Sequence, residues 1–444
     1  MNNKRILVVG LGVSGRAAAE FLLGKGAVVH GTDSNQKVLA GPEVARLQKN
    51  GLVVCSEEQI SSVDEFELVV VSPGVPPTQK QYAAALAAGI EVIGEVELAC
   101  RFMHNAKVLG ITGTNGKTTV TLLVTHVLKE NGYPARALGN MGVPITSQCE
   151  SAQNEIIVAE LSSYQLDTMR TKILDAAVLL NVTPDHLDRY HTMEAYAKSK
   201  WHIHDCLKSG GKLYVEEKCA EEYGNLAPGK YLTYGYGKGC HLSTDLKQLF
   251  AEKNTLGVLP EPMQGKKSHD LENVMAAFAL CSHVGVSWEQ FVSALSTFKK
   301  PSHRIEFVTT INGVSYYDDS KGTNIDAVIR AVDSLEGNII LIAGGVDKGA
   351  AYTPWIEAFA DKVKCICAIG QAAPKLEKDL SHAFKIERCE SLEAAVAKAS
   401  RLAKSKEIVL LSPGCSSFDM FKDYAHRGEV FQEAVKKLKT TLER

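Results

Sequence analysis

Gly113-Thr114-Asn115-Gly116-Lys117-Thr118-Thr119 carries the plainest chemistry in this 444-residue chain. It follows an apolar run, Ala106–Ile111, and opens a helical pattern from Lys117 to about Glu130. Glycines let backbone N–H groups turn inward, and a helix N-terminus adds a positive field, so such a turn can cradle a triphosphate. Lys117 would then reach the outer phosphates, and the Thr118 hydroxyl would take Mg²⁺. The spacing is not the strict phosphate-loop pattern, because Gly110 falls one place too early. A mere turn would not explain why strand, Gly-Lys-Thr and helix coincide. Glu160 ends another apolar run, Glu155–Glu160, about two strands away. An acid at that place can hold the metal of a nucleotide, although alone it would read as a solvated strand end.

A second constellation is Gly10-x-Gly12-x-x-Gly15 after the first apolar run, with Asp33 where a ribose-binding acid would fall. A lone string of this kind suggests NAD only moderately. Its physics, a pyrophosphate on a helix N-terminus, serves UDP equally well. No other redox feature accompanies it, which weakens the NAD reading. Further polar clusters are Asp185-His186-Leu187-Asp188, Lys198-Ser199-Lys200, Asp319-Ser320-Lys321 and Gly344-Gly345-Val346-Asp347-Lys348. A neutral imidazole such as His186 can ligate metal once a neighbour fixes its tautomer. A lone His or Lys is more often structural or solvated.

These residues need a scaffold that presents them together. Apolar strands at Arg5–Gly10, Val28–Gly31, Leu68–Ser72, Ala106–Ile111, Glu155–Glu160 and Ala176–Asn181 alternate with helical patterns. The same alternation returns at Val314–Tyr317, Asn338–Ala343, Val363–Ile369 and Glu407–Leu411. It predicts mostly parallel, doubly wound α/β sheets, with ligands beyond the strand C-termini. Turn residues place boundaries near Gly94–Glu95 and Lys299–Ser302. The stretch from Glu216 to Gly265 has weak strands and receives no assignment.

Composition excludes other classes. Hydrophobic residues are 45% and charged residues 23%, the balance of a globular protein with full cores. Lys plus Arg number 49 against 51 acids, a net charge of −2, so no nucleic-acid or membrane surface is expected. The 11 cysteines contain no C-x-x-C pair and read as buried thiols in a reducing compartment. No leader and no long apolar run is visible, so a cytoplasmic protein is expected. A monomer is expected too.

Several strings together resemble one family, the Mur ligases of peptidoglycan precursor synthesis. They are Gly113–Thr119, Glu160-Leu161-Ser162-Ser163, Asn181-Val182-Thr183-Pro184-Asp185-His186-Leu187-Asp188, His303-Arg304, Asp319–Asn324 and Gly344–Lys348. Order and spacing match over almost the whole chain. The resemblance implies three domains. They are a UDP-binding Rossmann-like domain over 1–95, an ATP-binding P-loop-type domain over 96–300, and a Rossmann-like amino-acid domain over 301–444. The short N-terminal domain and Leu411–Ser417 resemble the subgroup that adds D-glutamate to UDP-N-acetylmuramoyl-L-alanine.

The resemblance also implies roles. Val13, Ser14, Asp33 and Gly74 meet UDP, and Asn140 meets the acyl substrate. Gly113, Thr114, Asn115, Gly116, Lys117, Thr118 and Thr119 hold ATP, with Asn273 at adenine and Arg304 and Asp319 at ribose. Thr118, Glu160, His186 and Lys200 hold Mg²⁺, Lys200 as a carbamate; Lys198 is its competitor. Lys117 and Lys321 surround the reacting anions. Thr323, Lys348, Ser417 and Tyr424 meet D-glutamate. Asn35 and Asp270 depart from the family pattern on the uracil and adenine sides. The implied reaction is activation of a carboxylate as an acyl phosphate, which the amine then attacks. Two rival classes remain: a nicotinamide-dependent oxidoreductase and a non-catalytic ATP-gated binding protein. A related ligase, Mur-type or folylpolyglutamate-type, with another amino acid is the nearer alternative.

Overall fold

A computed structural model describes residues 1–103, 105–150, 154–252, 254–359 and 361–442. Their contacts group them into two units. One is Met1–Val182 with Ala197–Phe298; the other is Thr183–Tyr196 with the chain from Lys299 onward.

The first unit contains two sheets. The N-terminal sheet has five strands, all parallel, in the order Val53–Val54, Val28–Thr32, Arg5–Val9, Leu68–Val71, Val92–Gly94. Ile6-Leu7-Val8-Val9 and Leu68-Val69-Val70-Val71 are buried throughout, as expected of strands covered on both faces. Strand order reverses between Arg5–Val9 and Leu68–Val71, which opens a crevice at their C-terminal ends.

The second sheet has nine strands. Ala135–Gly139, Ile156–Glu160, Lys107–Thr112, Leu174–Leu179, Leu207–Glu216, Leu232–Gly235 and Leu242–Thr244 run parallel in that order. Gln248–Ala251 and Asn254–Val258 extend the edge as an antiparallel pair. The stretch left unassigned by sequence is therefore mostly sheet edge. Its strands after Leu207–Glu216 are only three to five residues long, too short for a clear period. Ile156–Glu160 pairs directly with Lys107–Thr112. The acid at its end is thus on the neighbouring strand, closer than the two-strand separation read from the sequence.

Two buried acids on helix Glu95–Cys100 join these sheets. Glu95 Oε1 accepts from the Thr146 N–H (2.6 Å) and hydroxyl (2.7 Å), and burial pushes its carboxyl pKa up. Glu97 accepts the N–H groups of Arg170 (2.7 Å) and Thr171 (2.9 Å).

The second unit has one six-stranded sheet, ordered Glu306–Ile311, Val314–Asp318, Ile408–Leu411, Ile339–Gly344, Val363–Ile369, Lys385–Arg388. Only the first pair is antiparallel. Ile339 and Leu341 join one core with Val328, Trp355 and Leu376. Ile340 and Ile342 join another with Leu392, Ala395 and Phe431. Alternate side chains thus enter opposite cores, the signature of a strand with helices on both faces. Helices Ile325–Ser334 and Leu392–Leu402 start at Asn324 and Ser391, whose side chains accept from the N–H groups of Ala327 and Ala394.

Candidate functional site

The phosphate loop leaves the end of strand Lys107–Thr112 and enters helix Lys117–Glu130. Gly113 and Gly116 have φ of 154° and 88°, which only glycine adopts readily. A Cβ on Gly116 would fall 2.5 Å from Asn273 Oδ1, so Asn273 packs against this turn. Gly116 is the helix N-cap and supplies no side-chain cap, which leaves the first-turn amides for an anion. Asn181 pins the loop. Its carbonyl accepts from Thr114 N (3.0 Å), and its Oδ1 accepts from Asn115 N (2.8 Å). Asn181, at the start of the Asn181–Asp188 string, thus serves the loop itself, a role no local pattern marks.

Lys117 Nζ closes across the loop to the carbonyls of Gly113 (2.7 Å) and Thr114 (2.9 Å). Lys200 Nζ donates to the same Gly113 oxygen (2.8 Å) and is 1% exposed. Lys198, two residues earlier on helix Met193–Trp201, is exposed. Thr118 and Thr119 are buried in the first helical turn.

Glu160 is buried. Its Oε1 accepts from Asn140 Nδ2 (2.9 Å), whereas its buried Oε2 has no hydrogen-bond partner among the described residues. Such an orphaned atom costs about 1–3 kcal/mol or more unless a cation or donor meets it. Its hard oxygen chemistry, like that of the Thr118 hydroxyl, fits Mg²⁺.

The crevice of the N-terminal sheet is a cavity of about 490 Å³. Val13, Ser14, Asp33 and Gly74 line it, all expected from sequence; so does Asn140 of the neighbouring sheet. Asn140 therefore touches both this cavity and Glu160. The glycine fingerprint has separable causes. Gly10 (φ 86°) leaves no room for a Cβ against Val75, and Gly15 packs on the Gly10 carbonyl. A Cβ on Gly12 would meet nothing within 4 Å, so the space above it faces the cavity. Asp33 shapes this rim: Oδ2 accepts from Leu11 N (2.7 Å) and Oδ1 from Asn35 N (2.8 Å). Glu57 and Gln79 also line the cavity and bond to each other at 3.0 Å. No motif in the sequence marks them.

In the second unit the expected residues gather at the C-terminal ends of Val314–Asp318, Ile339–Gly344 and Ile408–Leu411. Lys321 Nζ lies 3.2 Å from Tyr424 Oη and 4.7 Å from the centre of its ring. Paired backbone bonds between Val346 and Ser416 (2.9 and 3.2 Å) fix the Lys348 turn beside Ser417. Gly414 N donates to the Gly322 carbonyl (2.8 Å), which brings half-buried Thr323 to the same end. Asp319 accepts from Ser412 Oγ (2.6 Å), and burial pushes its carboxyl up to about 7. Arg304 opposes that shift, while its own buried Nε has no hydrogen-bond partner among the described residues.

His186 sits in the left-handed region (φ 54°) at the start of helix Leu187–Tyr190. A non-glycine residue there carries strain of the kind found at functional sites. Its neighbour Asp185 is buried and pairs with Lys348 (3.1 Å). Asn324 Nδ2 approaches the other Asp185 oxygen (3.4 Å). No motif marks Asp185 for this contact, yet it occupies Lys348, the cation expected at the amino acid. His186 belongs to the second unit, and Glu160 and Lys200 to the first.

Three family descriptions match the chain: "Mur ligase MurD-like, N-terminal domain" over residues 4–94, "Mur ligase middle domain" over 111–281, and "Mur ligase, glutamate ligase domain" over 303–415. A UDP-N-acetylmuramoylalanine–D-glutamate ligase of Protochlamydia amoebophila is 52% identical over 437 residues, covering 98% of each chain. The UDP-N-acetylmuramate-alanine ligase MurC of Thermotoga maritima shares the fold, with a TM-score of 0.59 at 16% identity, over 98% of this chain and 100% of that one. A MurF ligase from Thermotoga maritima, solved with ADP, aligns with a TM-score of 0.59 at 16% identity, over 89% and 91%. With the domain order, the phosphate loop and a full-length relative in agreement, the chain belongs to the Mur ligases, ATP-dependent enzymes that form amide bonds in peptidoglycan synthesis.

Proposed function

We propose that this enzyme adds D-glutamate to the carboxyl of UDP-N-acetylmuramoyl-L-alanine, with ATP converted to ADP and phosphate. The observation that carries the reading is Asn140. It lines the N-terminal cavity and donates to Glu160 beside the phosphate loop, so the acyl end of a cavity-bound nucleotide would reach the phosphoryl donor. Residues 1–95 would hold UDP, 96–300 ATP and 301–444 the amino acid.

A carboxylate is a poor electrophile. Its oxygen attacks the γ-phosphorus, ADP leaves, and the acyl phosphate so formed carries a good leaving group. The amine then attacks the carbonyl carbon, and phosphate departs from the tetrahedral intermediate. Two anions meet in the first step, so the ammonium groups of Lys117 and Lys321 lower its barrier. Glu160 and the Thr118 hydroxyl would hold Mg²⁺, and His186 and carbamylated Lys200 would each be a metal ligand in its own unit. When bound, the metal neutralises phosphate charge. Lys348, Thr323, Ser417 and Tyr424 would receive D-glutamate, whose carboxylate replaces Asp185 on Lys348. The substrates and the free cysteines suit a reducing cytoplasm, and a monomer suffices. Among the described residues no helix is long and apolar enough to cross a membrane.

Phosphate release should require ATP, UDP-N-acetylmuramoyl-L-alanine and D-glutamate together. Release supported better by another amino acid would replace D-glutamate in the scheme; release without any acyl substrate would end it. A smaller test concerns the loop. Gly116→Ala forces a side chain into the left-handed region, at about 1–3 kcal/mol. The Kd for ATP should rise about tenfold by calorimetry, with UDP binding unchanged. Unaltered ATP affinity would contradict the assignment of this turn.

A further inference from the structure

Arg427 is 1% exposed, on the first turn of helix Tyr424–Leu442. Among the described residues its guanidinium donates to three acceptor atoms, none in a carboxylate. Nε donates to Ser320 Oγ (3.0 Å), Nη2 to the Ser320 carbonyl (2.8 Å), and Nη1 to the Cys415 carbonyl (3.2 Å). Ser320 Oγ in turn donates to the Tyr424 carbonyl (2.7 Å).

These contacts matter for where they fall. Ser320 lies between Asp319 and Lys321, Cys415 lies two residues before Ser417, and Tyr424 is on the same helical turn as Arg427. Three separate segments that carry expected substrate contacts meet on one side chain. Burial pulls the Arg427 pKa down to about 10, which still leaves a cation at neutral pH. A buried charge hydrogen-bonded only to neutral acceptors, with the carboxylates of Asp419, Asp318 and Asp319 acting from a distance, is a poor device for stability, since desolvation outweighs them. A rigid planar fork is, however, suited to fixing two carbonyls and a hydroxyl at once.

We infer that Arg427 is a positioning residue for the amino-acid substrate, holding its expected contacts Ser417 and Tyr424 in register with Lys321 at the reacting anions. The inference rests on reading the second unit as the amino-acid site. Misplacement of about 1 Å at such groups can lower rates a hundredfold.

The test compares Arg427→Lys, Arg427→Met and Ser320→Ala in the full-length enzyme. Lys keeps the charge and loses the fork. In Arg427→Lys and Arg427→Met, kcat should fall and the KM for D-glutamate should rise, together lowering kcat/KM about tenfold to a hundredfold. The KM for ATP and the Kd for UDP-N-acetylmuramoyl-L-alanine should stay within twofold. Ser320→Ala, which keeps the arginine, should shift the D-glutamate KM in the same direction. It decides the matter if either Arg427 variant fails to fold. Wild-type D-glutamate kinetics in Arg427→Lys, or an equal loss of ATP affinity, would overturn the inference. The amino acid that drives phosphate release in the unmodified enzyme is established first. If it is not D-glutamate, the substrate reading fails, and the variants are compared on the true substrate.

Discussion

Lys200→Ala should lower turnover about a thousandfold, the upper range for removing one preorganised charge from a reacting centre. Short carboxylic acids should restore part of it. The physical case begins with burial. Lys200 is 1% exposed and shares the Gly113 carbonyl with Lys117 Nζ. The two side chains thus place two cationic groups on one carbonyl at the phosphate loop. A neutral Lys200 amine can add to CO₂, releasing a proton and forming a carbamate. That change replaces the second cation with an anion beside the phosphate loop. Lys198→Ala should be close to wild type, since Lys198 is exposed. Phosphate-release kinetics with and without acetate measure the loss and the rescue. A ¹³C spectrum under labelled bicarbonate tests the adduct independently. Full activity in Lys200→Ala would remove this residue from the chemistry.

The phosphate loop and the glycine fingerprint were legible in the sequence because their causes are local. Gly113 and Gly116 need positive φ, and Lys117 closes on carbonyls three and four residues away. The mostly parallel sheets were legible because buried strands such as Ile339–Gly344 are apolar throughout. What escaped depends on partners distant in sequence. The Asp185–Lys348 pair spans 163 residues, and Arg427 reaches Ser320 across 107. No period or turn chemistry encodes such a meeting. Glu57 and Gln79 lie on loops whose only common feature is the cavity they line. The antiparallel edge strand Glu306–Ile311 also escaped, because only Ile311 in it is fully buried and its face alternates weakly. Asp33 was found for a different reason from its use: its carboxylate first fixes the amides of Leu11 and Asn35.

Glu160→Gln should lower turnover by about 10³-fold as well, and its thermal behaviour separates the cause from simple damage. The amide oxygen can still accept from Asn140, so the local packing survives. The amide nitrogen would stand where Oε2 now lacks a partner, and an NH₂ group cannot ligate a cation. In chelator, the variant should melt at the same temperature as the wild type or higher, because a buried carboxyl bonded only through Asn140 gives way to a neutral amide. With Mg²⁺ and ATP the order should reverse. Wild type gains stability from ligand that binds only the folded state, and the variant gains little. A variant that kept the wild-type shift with Mg²⁺–ATP would rule out Glu160 as a metal ligand, whatever its activity. Glu160→Ala goes one step further. It also frees Asn140, which lines the nucleotide cavity, so affinity for the UDP substrate should weaken only in that variant. The difference between the two substitutions would isolate the proposed link between a metal-binding Glu160 and an acyl-binding Asn140, joined here by one hydrogen bond.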